Sequence, residues 1–266
     1  MKIEYKETSS DLLKRIDIHK QYGGRDIDAW MLEVLRPQPG TRILDVGSGA
    51  GKQCFVFWDA LQGKADITGG DVSDELLETA RQANARTGNQ VKFTELNFNR
   101  RFPFDDAAFD LLSCCFAIYY AENIPFTIGE MRRVLRPGGR LFTTGPMPEN
   151  KRLFYEIILE ATGKPIPPMP GSSRYASEIL DEMRRRFSRV DIQIFENPLA
   201  FESVEPFLIY TRASLSEDRR LWTSLFQGTE AFEKVMEAIA ATAAARLKRD
   251  GRLVMTKVVG GFIAHV

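Results

Sequence analysis

Asp45, Gly47, Gly49 and Gly51 occupy alternate positions in ILDVGSGAGK, residues 43–52. The glycines let the backbone turn sharply and let a ligand lie against it with no Cβ in the way. An apolar run precedes them and a helical pattern follows. Free N–H groups at such a helix start favour an anionic group. Two other glycine loops do not fit. The dinucleotide fingerprint G-x-G-x-x-G would place its third glycine where Lys52 stands, and the P-loop needs a glycine where Val46 stands and Ser or Thr where Gln53 stands. Taken alone, the triplet is equally a tight turn with no ligand.

Two further polar residues follow the next two strand-like runs. Asp71, in GGDVS, lies roughly twenty residues beyond the loop, where an acidic side chain meets a ribose. Its other reading, a helix cap, is already served by Ser73 or Asp74. Asn97, in NFNR, can accept a bond from an adenine amino group or serve as a turn residue. All three positions lie at carboxyl ends of expected strands, where ligands bind in open α/β sheets.

The elements that must hold these residues alternate. Strands are expected at 42–46, 65–70, 91–96, 109–118 and from 140, with helices at about 51–61, 74–86 and 125–135. FDLLSCCFAI at 109–118 is a near-continuous apolar run, as in a strand covered on both faces. Repeated βα units of this kind argue for a parallel, doubly wound sheet with helices on both faces. Two short helices broken at Gly23-Gly24 precede it. Beyond it come a helix at 148–161, a Pro-rich loop at 164–173, a helix at 175–186 and a sixth strand, VDIQIF. Residues 201–249 read as mostly helical, and the closing run from 252 alternates like a strand. The 201–249 block therefore interrupts the last two strands, as a lid over a substrate pocket or as a layer covering the sheet.

The 266 residues carry 36 Lys plus Arg against 36 Asp plus Glu, so no basic footprint suggests a nucleic-acid partner. No run is long and apolar enough for a membrane span, and the first twenty residues lack an apolar signal core. A cytoplasmic location is expected. Cys54, Cys114 and Cys115 do not describe a disulfide framework, and two distant histidines with an isolated cysteine pair lack zinc spacing. No metal site is expected.

With ILDVGSGAG, GGDVS, LNFNRRFPFDDAAFDLL and EMRRVLRPGGRLF, the chain resembles the class I S-adenosylmethionine-dependent methyltransferases, in particular the ubiquinone-biosynthesis-type and small-molecule group. The match covers roughly residues 25–146. The resemblance implies a Rossmann-like, mostly parallel seven-stranded sheet whose last strand is antiparallel, with S-adenosyl-L-methionine as cofactor. On it, one domain spans 1–266: a helical cap at 1–36, a cofactor-binding core at 37–146, the second half of the sheet at 147–200, a helical lid at 201–249 and the last strand at 250–266. The cofactor-binding set it implies is Tyr22, Asp45, Gly47, Gly49, Gly51, Asp71, Val72, Asn97, Phe98 and Cys115, with Asp45 orienting the methionine amine. Two departures matter. Asn97 stands where the family more often has Asp, and Tyr119-Tyr120 stand where it often has His. An Asn-Pro-Pro-Tyr-type motif is absent.

The sulfonium is an activated methyl donor, so the protein's task is orientation, with a base needed only for a poor nucleophile. The candidate catalytic residues are His19, Tyr119 and Tyr120; the tyrosines also read as pocket wall. His265 reads as structural or frayed. A cysteine nucleophile is not expected inside an apolar strand. Methylation of a small-molecule acceptor is the leading reading. A methyltransferase acting on RNA or protein, and a non-catalytic cofactor-binding protein, stay open, as do the acceptor atom and the oligomeric state.

Overall fold

The computed structural model describes residues 9–165, 170–217 and 229–266. Parts of two expected segments, the Pro-rich loop and the 201–249 block, lie outside them. Seven strands form one sheet in the order β3-β2-β1-β4-β5-β7-β6. They are β1 Arg42–Val46, β2 Asp66–Asp71, β3 Lys92–Glu95, β4 Phe109–Cys115, β5 Leu135–Pro146, β6 Arg189–Phe201 and β7 Leu253–His265. The first five strands run parallel, and β7 is antiparallel to both β5 and β6. Strand order reverses between β1 and β4, so the loops after these two strands diverge and leave a crevice.

Local chemistry sets the helices. α1 covers Ser9–Tyr22 and α2 covers Ile27–Leu35, where Asp26 caps the backbone N–H groups of Asp28 and Ala29. α3 covers Lys52–Ala60. α4, Asp74–Thr87, is capped by the Ser73 hydroxyl accepting from Leu76 N–H. α5, Ile124–Arg133, is capped by Asn123. α6 covers Arg152–Thr162. α7, Pro170–Arg174, continues through a π turn at Tyr175–Ile179 into α8, Leu180–Arg186.

Several expected boundaries are corrected. Strand four stops at Cys115, because Phe116 takes a left-handed φ of 55° and Ile118–Tyr120 form a 3-10 turn. Strand five starts at Leu135 and takes in the expected RPGG turn through a register shift opposite Phe109 and Leu111. Residues 170–173, expected in a loop, are helical, and Arg174 from this helix donates to the Tyr119 carbonyl at 3.0 Å. His265 is not frayed: it lies in β7 with its Nε2 2.9 Å from Asp191.

The largest difference is at β6, which runs six residues either side of Phe195 rather than ending there as a six-residue strand, and reaches Phe201 opposite Leu253. β5 pairs with β7 only as far as Pro146 opposite Val259. The far half of the β6–β7 ribbon therefore extends past the carboxyl end of β5. A second core closes around it. Ile18 of α1 and Phe154 of α6 pack with Phe201, Met255 and two helices of the insertion, α9 Val204–Glu217 and α10 Thr229–Asp250. Among the described residues, no helix is long and apolar enough to cross a membrane.

Tyr175 joins the π turn to the sheet. Its ring stacks on Phe262 with centroids 4.4 Å apart. A Cβ at Gly145 would fall 2.5 Å from the ring, so the strand must be bare there. The hydroxyl lies 2.8 Å from the Thr143 carbonyl, 3.1 Å from that of Gly260 and 3.1 Å from the Thr143 hydroxyl. Replacing Tyr175 with Phe orphans buried partners, so it should cost about 1–3 kcal/mol. Urea unfolding checks this, and an unchanged midpoint would contradict the role given to the hydroxyl.

Candidate functional site

The glycine loop is fixed by backbone bonds that a Cβ would obstruct. Gly47, Gly49 and Gly51 have φ of 74°, 52° and 82°. Gly47 and Ser48 donate their N–H groups to the Gly70 carbonyl at 2.8 and 3.0 Å, tying the loop to the end of β2. A Cβ at Gly47 would meet that of Ala117 at 2.7 Å. Gly49 N–H donates to Asp71 Oδ2 at 2.8 Å, and Ser73 N–H donates to Asp71 Oδ1 at 2.9 Å. Asp71 thus joins the loop after β1 to the start of α4. Each carboxylate oxygen keeps a second lone pair free.

Behind the loop lies a cavity of about 160 Å³ lined by residues that include Met31, Asp45, Ser48, Gln53, Cys115 and Phe116. Lys52 Nζ pairs with Asp28 at 2.8 Å on its wall. The Ser48 hydroxyl and Gln53 Nε2 are buried against it with no hydrogen-bond partner. Unpartnered buried donors are costly, so they mark a place meant for a polar ligand. Asp45 is buried beside them, accepting from the Ser113 hydroxyl at 2.6 Å and lying 3.6 Å from the Cys54 thiol. Burial pushes its carboxyl up to about 7; the Ser113 and Cys54 bonds oppose the shift, and the Asp71 charge adds to it. A cation beside Asp45 would restore the carboxylate. The Asp45 acceptor and the Ser48 and Gln53 donors together suit a zwitterionic amino-acid head, and the residues fit such a group.

The other expected site residues separate into two sets. Val72 follows Asp71 with 62% of its surface exposed, an apolar patch open to a flat ring. Asn97 uses its side-chain oxygen in the turn, accepting from Asn99 N–H at 2.9 Å. Phe98 is half-buried, and its carbonyl accepts from the Thr127 hydroxyl. Cys115 lies on the cavity wall, its sulfur 3.8 Å from that of Met31, and burial pushes its thiol far up. Tyr119 and Tyr120 follow β4 with ring centroids 4.7 Å apart; Tyr119 is core and Tyr120 packs against it. Tyr22 and His19 belong to the second core, Tyr22 on Phe201 at 5.2 Å and His19 stacked on Tyr210 at 5.6 Å. Burial, then the charges of Lys257, Arg15 and Lys151, push the His19 ring down to about 2. It is a neutral ring at ordinary pH and a poor proton acceptor.

Met31, Lys52, Gln53 and Phe116 line the cavity without having been expected there. Lys52 and Gln53 entered the sequence argument only as mismatches to other glycine loops. Phe116 carries no sequence signal, although a bulky residue with positive φ marks a strained, constrained position.

A family profile described as a methyltransferase domain matches residues 43–139. The "Ubiquinone/menaquinone biosynthesis C-methyltransferase UbiE" of Paracoccus denitrificans is 36% identical over 130 residues, 47% of this chain and 51% of that protein. The "Demethylmenaquinone methyltransferase" of Thermus thermophilus is 30% identical over 147 residues, 53% of this chain and 66% of that protein. The chain thus spans about half to two thirds of the curated relatives it matches. Among solved structures, the YcgJ protein from Bacillus subtilis superimposes with a TM-score of 0.57 at 16% identity, covering 90% of this chain and 97% of that one. A putative methyltransferase from Bacillus halodurans gives 0.58 at 17%, covering 90% and 98%. The chain shares the fold of these structures, and within it residues 43–139 match the methyltransferase-domain profile. The cavity, the glycine loop and Asp71 all lie within or beside the matched segment.

Asp45 offers a stability test of the cavity. Its folded pKa lies above the ordinary 3.8, so the stability it contributes is full below pH 3.8 and is lost as pH rises through about 7. Asp45→Asn removes that loss. The variant should gain on the parent by roughly 1.4 kcal/mol per pH unit, up to about 4 kcal/mol at pH 8. Urea unfolding at pH 5 and pH 8 checks it, and a parallel pH dependence of the two proteins would refute the assigned environment.

Proposed function

We propose that the protein is an S-adenosylmethionine-dependent methyltransferase acting on a small-molecule acceptor. The observation that carries the reading is the buried, partnerless pair Ser48 and Gln53 beside Asp45, behind the glycine loop. When bound, S-adenosylmethionine supplies a methyl group already activated on its sulfonium. Ser48 and Gln53 offer side-chain donors to its carboxylate beside the positive end of α3. Asp45 faces its ammonium group. Asp71 accepts from ribose hydroxyls with the lone pairs that its backbone bonds leave free. Val72 and Phe98 provide apolar contact for adenine, with Asn97 at its edge. Tyr119 and Tyr120 form a wall after β4 that excludes water and helps align an acceptor.

The helical insertion, α1 and the β6–β7 ribbon stand on the acceptor side, as a lid in this reading. The relatives act in ubiquinone and menaquinone biosynthesis or on demethylmenaquinone by name, which points first to an acceptor of the quinone type. The profile match stops at residue 139 and leaves that side uncovered. A balance of 36 cationic against 36 anionic side chains gives no support to an RNA substrate.

Calorimetry with S-adenosylhomocysteine tests the reading. The folded protein should bind one molecule per chain. Asp71→Ala removes both backbone bonds that Asp71 accepts, and Asp71→Asn keeps one acceptor oxygen while setting its amide NH2 against the other backbone N–H, so urea unfolding of each variant is run beside the titration. Removing a charged acceptor from two hydroxyls should weaken binding roughly tenfold or more. Absence of binding by folded wild-type protein would overturn the proposal.

A further inference from the structure

One apolar side chain on the cavity wall is held there at a cost. Phe116 follows Cys115, the last residue of β4, and takes a left-handed φ of 55°. It is 40% exposed, while Leu112 and Cys114 just before it are fully buried. A bulky residue in that conformation is strained, and such strain persists only where the surroundings over-determine it. Burial in a core would be the usual reason to bear it, and the exposure of Phe116 removes that reason.

Backbone contacts hold the segment in place. Phe116 N–H donates to the Thr144 carbonyl on β5 at 3.0 Å. Ala117 lies so close to the glycine loop that a Cβ at Gly47 would fall 2.7 Å from its own. Arg174 donates to the Tyr119 carbonyl at 3.0 Å and so ties the 3-10 turn to α7. The fixed segment sets Phe116 in the lining of the cavity, with Met31 and Cys115.

In the proposed reading, the sulfonium sulfur lies between the amino-acid head at Asp45 and the ribose at Asp71, because it is bonded to both parts. β1 stands between β2 and β4 in the sheet, so Asp71 and Phe116 flank the glycine loop from opposite sides. A cation at the sulfur needs an electron-rich neighbour. The carboxylates of the lining are engaged elsewhere: Asp28 pairs with Lys52 at 2.8 Å, and Asp45 serves the ammonium group. The face of an aromatic ring attracts a cation and, unlike a carboxylate, offers the activated methyl no nucleophile.

We propose that Phe116 reads the charge of the cofactor: its ring contacts the sulfonium, so the protein holds the methyl donor more tightly than the neutral thioether product. The left-handed backbone at Phe116 is what brings the ring to the cavity. The ring has no such attraction for the neutral sulfur of the product, which favours product release. The inference rests on the methyltransferase reading and adds to it the side chain that tells fresh cofactor from spent.

Calorimetry on the full-length protein compares S-adenosylmethionine, its analogue sinefungin, which carries an ammonium group in place of the sulfonium, and neutral S-adenosylhomocysteine. The parent protein should prefer both cations to the thioether. Phe116→Leu should cut that preference roughly fivefold or more, and leave S-adenosylhomocysteine within about twofold. Phe116→Tyr keeps a ring and should keep the preference. Phe116→Gly takes a positive φ without strain, so it should remain folded by urea unfolding while losing the preference. A parent with no preference for the cations, an unchanged ratio in the Leu and Gly variants, or equal weakening of all the ligands would overturn the role given to the ring. So would a loss confined to S-adenosylmethionine, which would mark a contact to the methyl rather than to the charge. Absence of binding of every one of these ligands by folded parent protein overturns the methyltransferase reading instead, whereas binding with a ratio insensitive to Phe116 sinks only the ring.

Discussion

The carboxylate of Asp71 accepts one backbone N–H from the glycine loop and one from the start of α4, and the geometry of the cofactor half depends on this double bond. Three left-handed glycines in five residues have little reason to hold one shape by themselves. Asp71 fixes the middle of that loop, while the Gly70 carbonyl fixes its beginning. The same fixation aims N–H groups at the start of α3 and sets Ser48 and Gln53 against the cavity. Preorganisation of this kind removes part of the ordering cost of binding. The residue expected to grip a sugar is thus also the residue that shapes the loop gripping the amino-acid head.

Much of this was legible in the chain because the signals are local. RILDV reads as β1 to the residue, since a short apolar run before a glycine turn has few alternatives. Ser73 caps α4 as its type and place require. The parallel order follows from the βα rhythm, and the antiparallel last strand from family resemblance. What stayed hidden depends on partners distant in sequence. Phe116 continues the apolar run of β4, and nothing in its type reveals a left-handed backbone. The second half of β6 contains Pro198, which argues against a central strand but is tolerated in one at the sheet edge. Gly260 and Gly261 look like a break in β7, yet Tyr175 and Trp30 fill the space that their missing side chains leave. His19 was read as a candidate base from its type alone. Its neutral state comes first from burial by the second core and then from charges that include Lys257 and Lys151, which lie more than a hundred residues away in the chain.

The two cores divide the labour. The main sheet and its flanking helices carry the recognisable half, where the profile match ends at residue 139. The second core is assembled from the cap, α6, the insertion and the overhanging ribbon. Its ribbon is continuous with the sheet through β7, so the second core is joined to the main sheet by the seven β5–β7 pairings rather than by a flexible linker. A small molecule held there is held relative to the glycine loop, which is the condition for in-line transfer.

A formal charge of zero conceals a separation of charge across the crevice. The cofactor side presents carboxylates: Asp45 buried, Asp71 partly so, and Asp28 paired to Lys52. The second core presents Arg15, Lys151 and Lys257 around a neutral imidazole. Burial leads both shifts, upward for Asp45 and downward for His19, so each site withholds charge from the group at its centre. The Asp71 charge adds to the first shift and the three cations add to the second, so the two environments differ in sign although the formal charge of the chain is zero. In the proposed reading, an ammonium group beside Asp45 would restore its carboxylate and relieve the first of them.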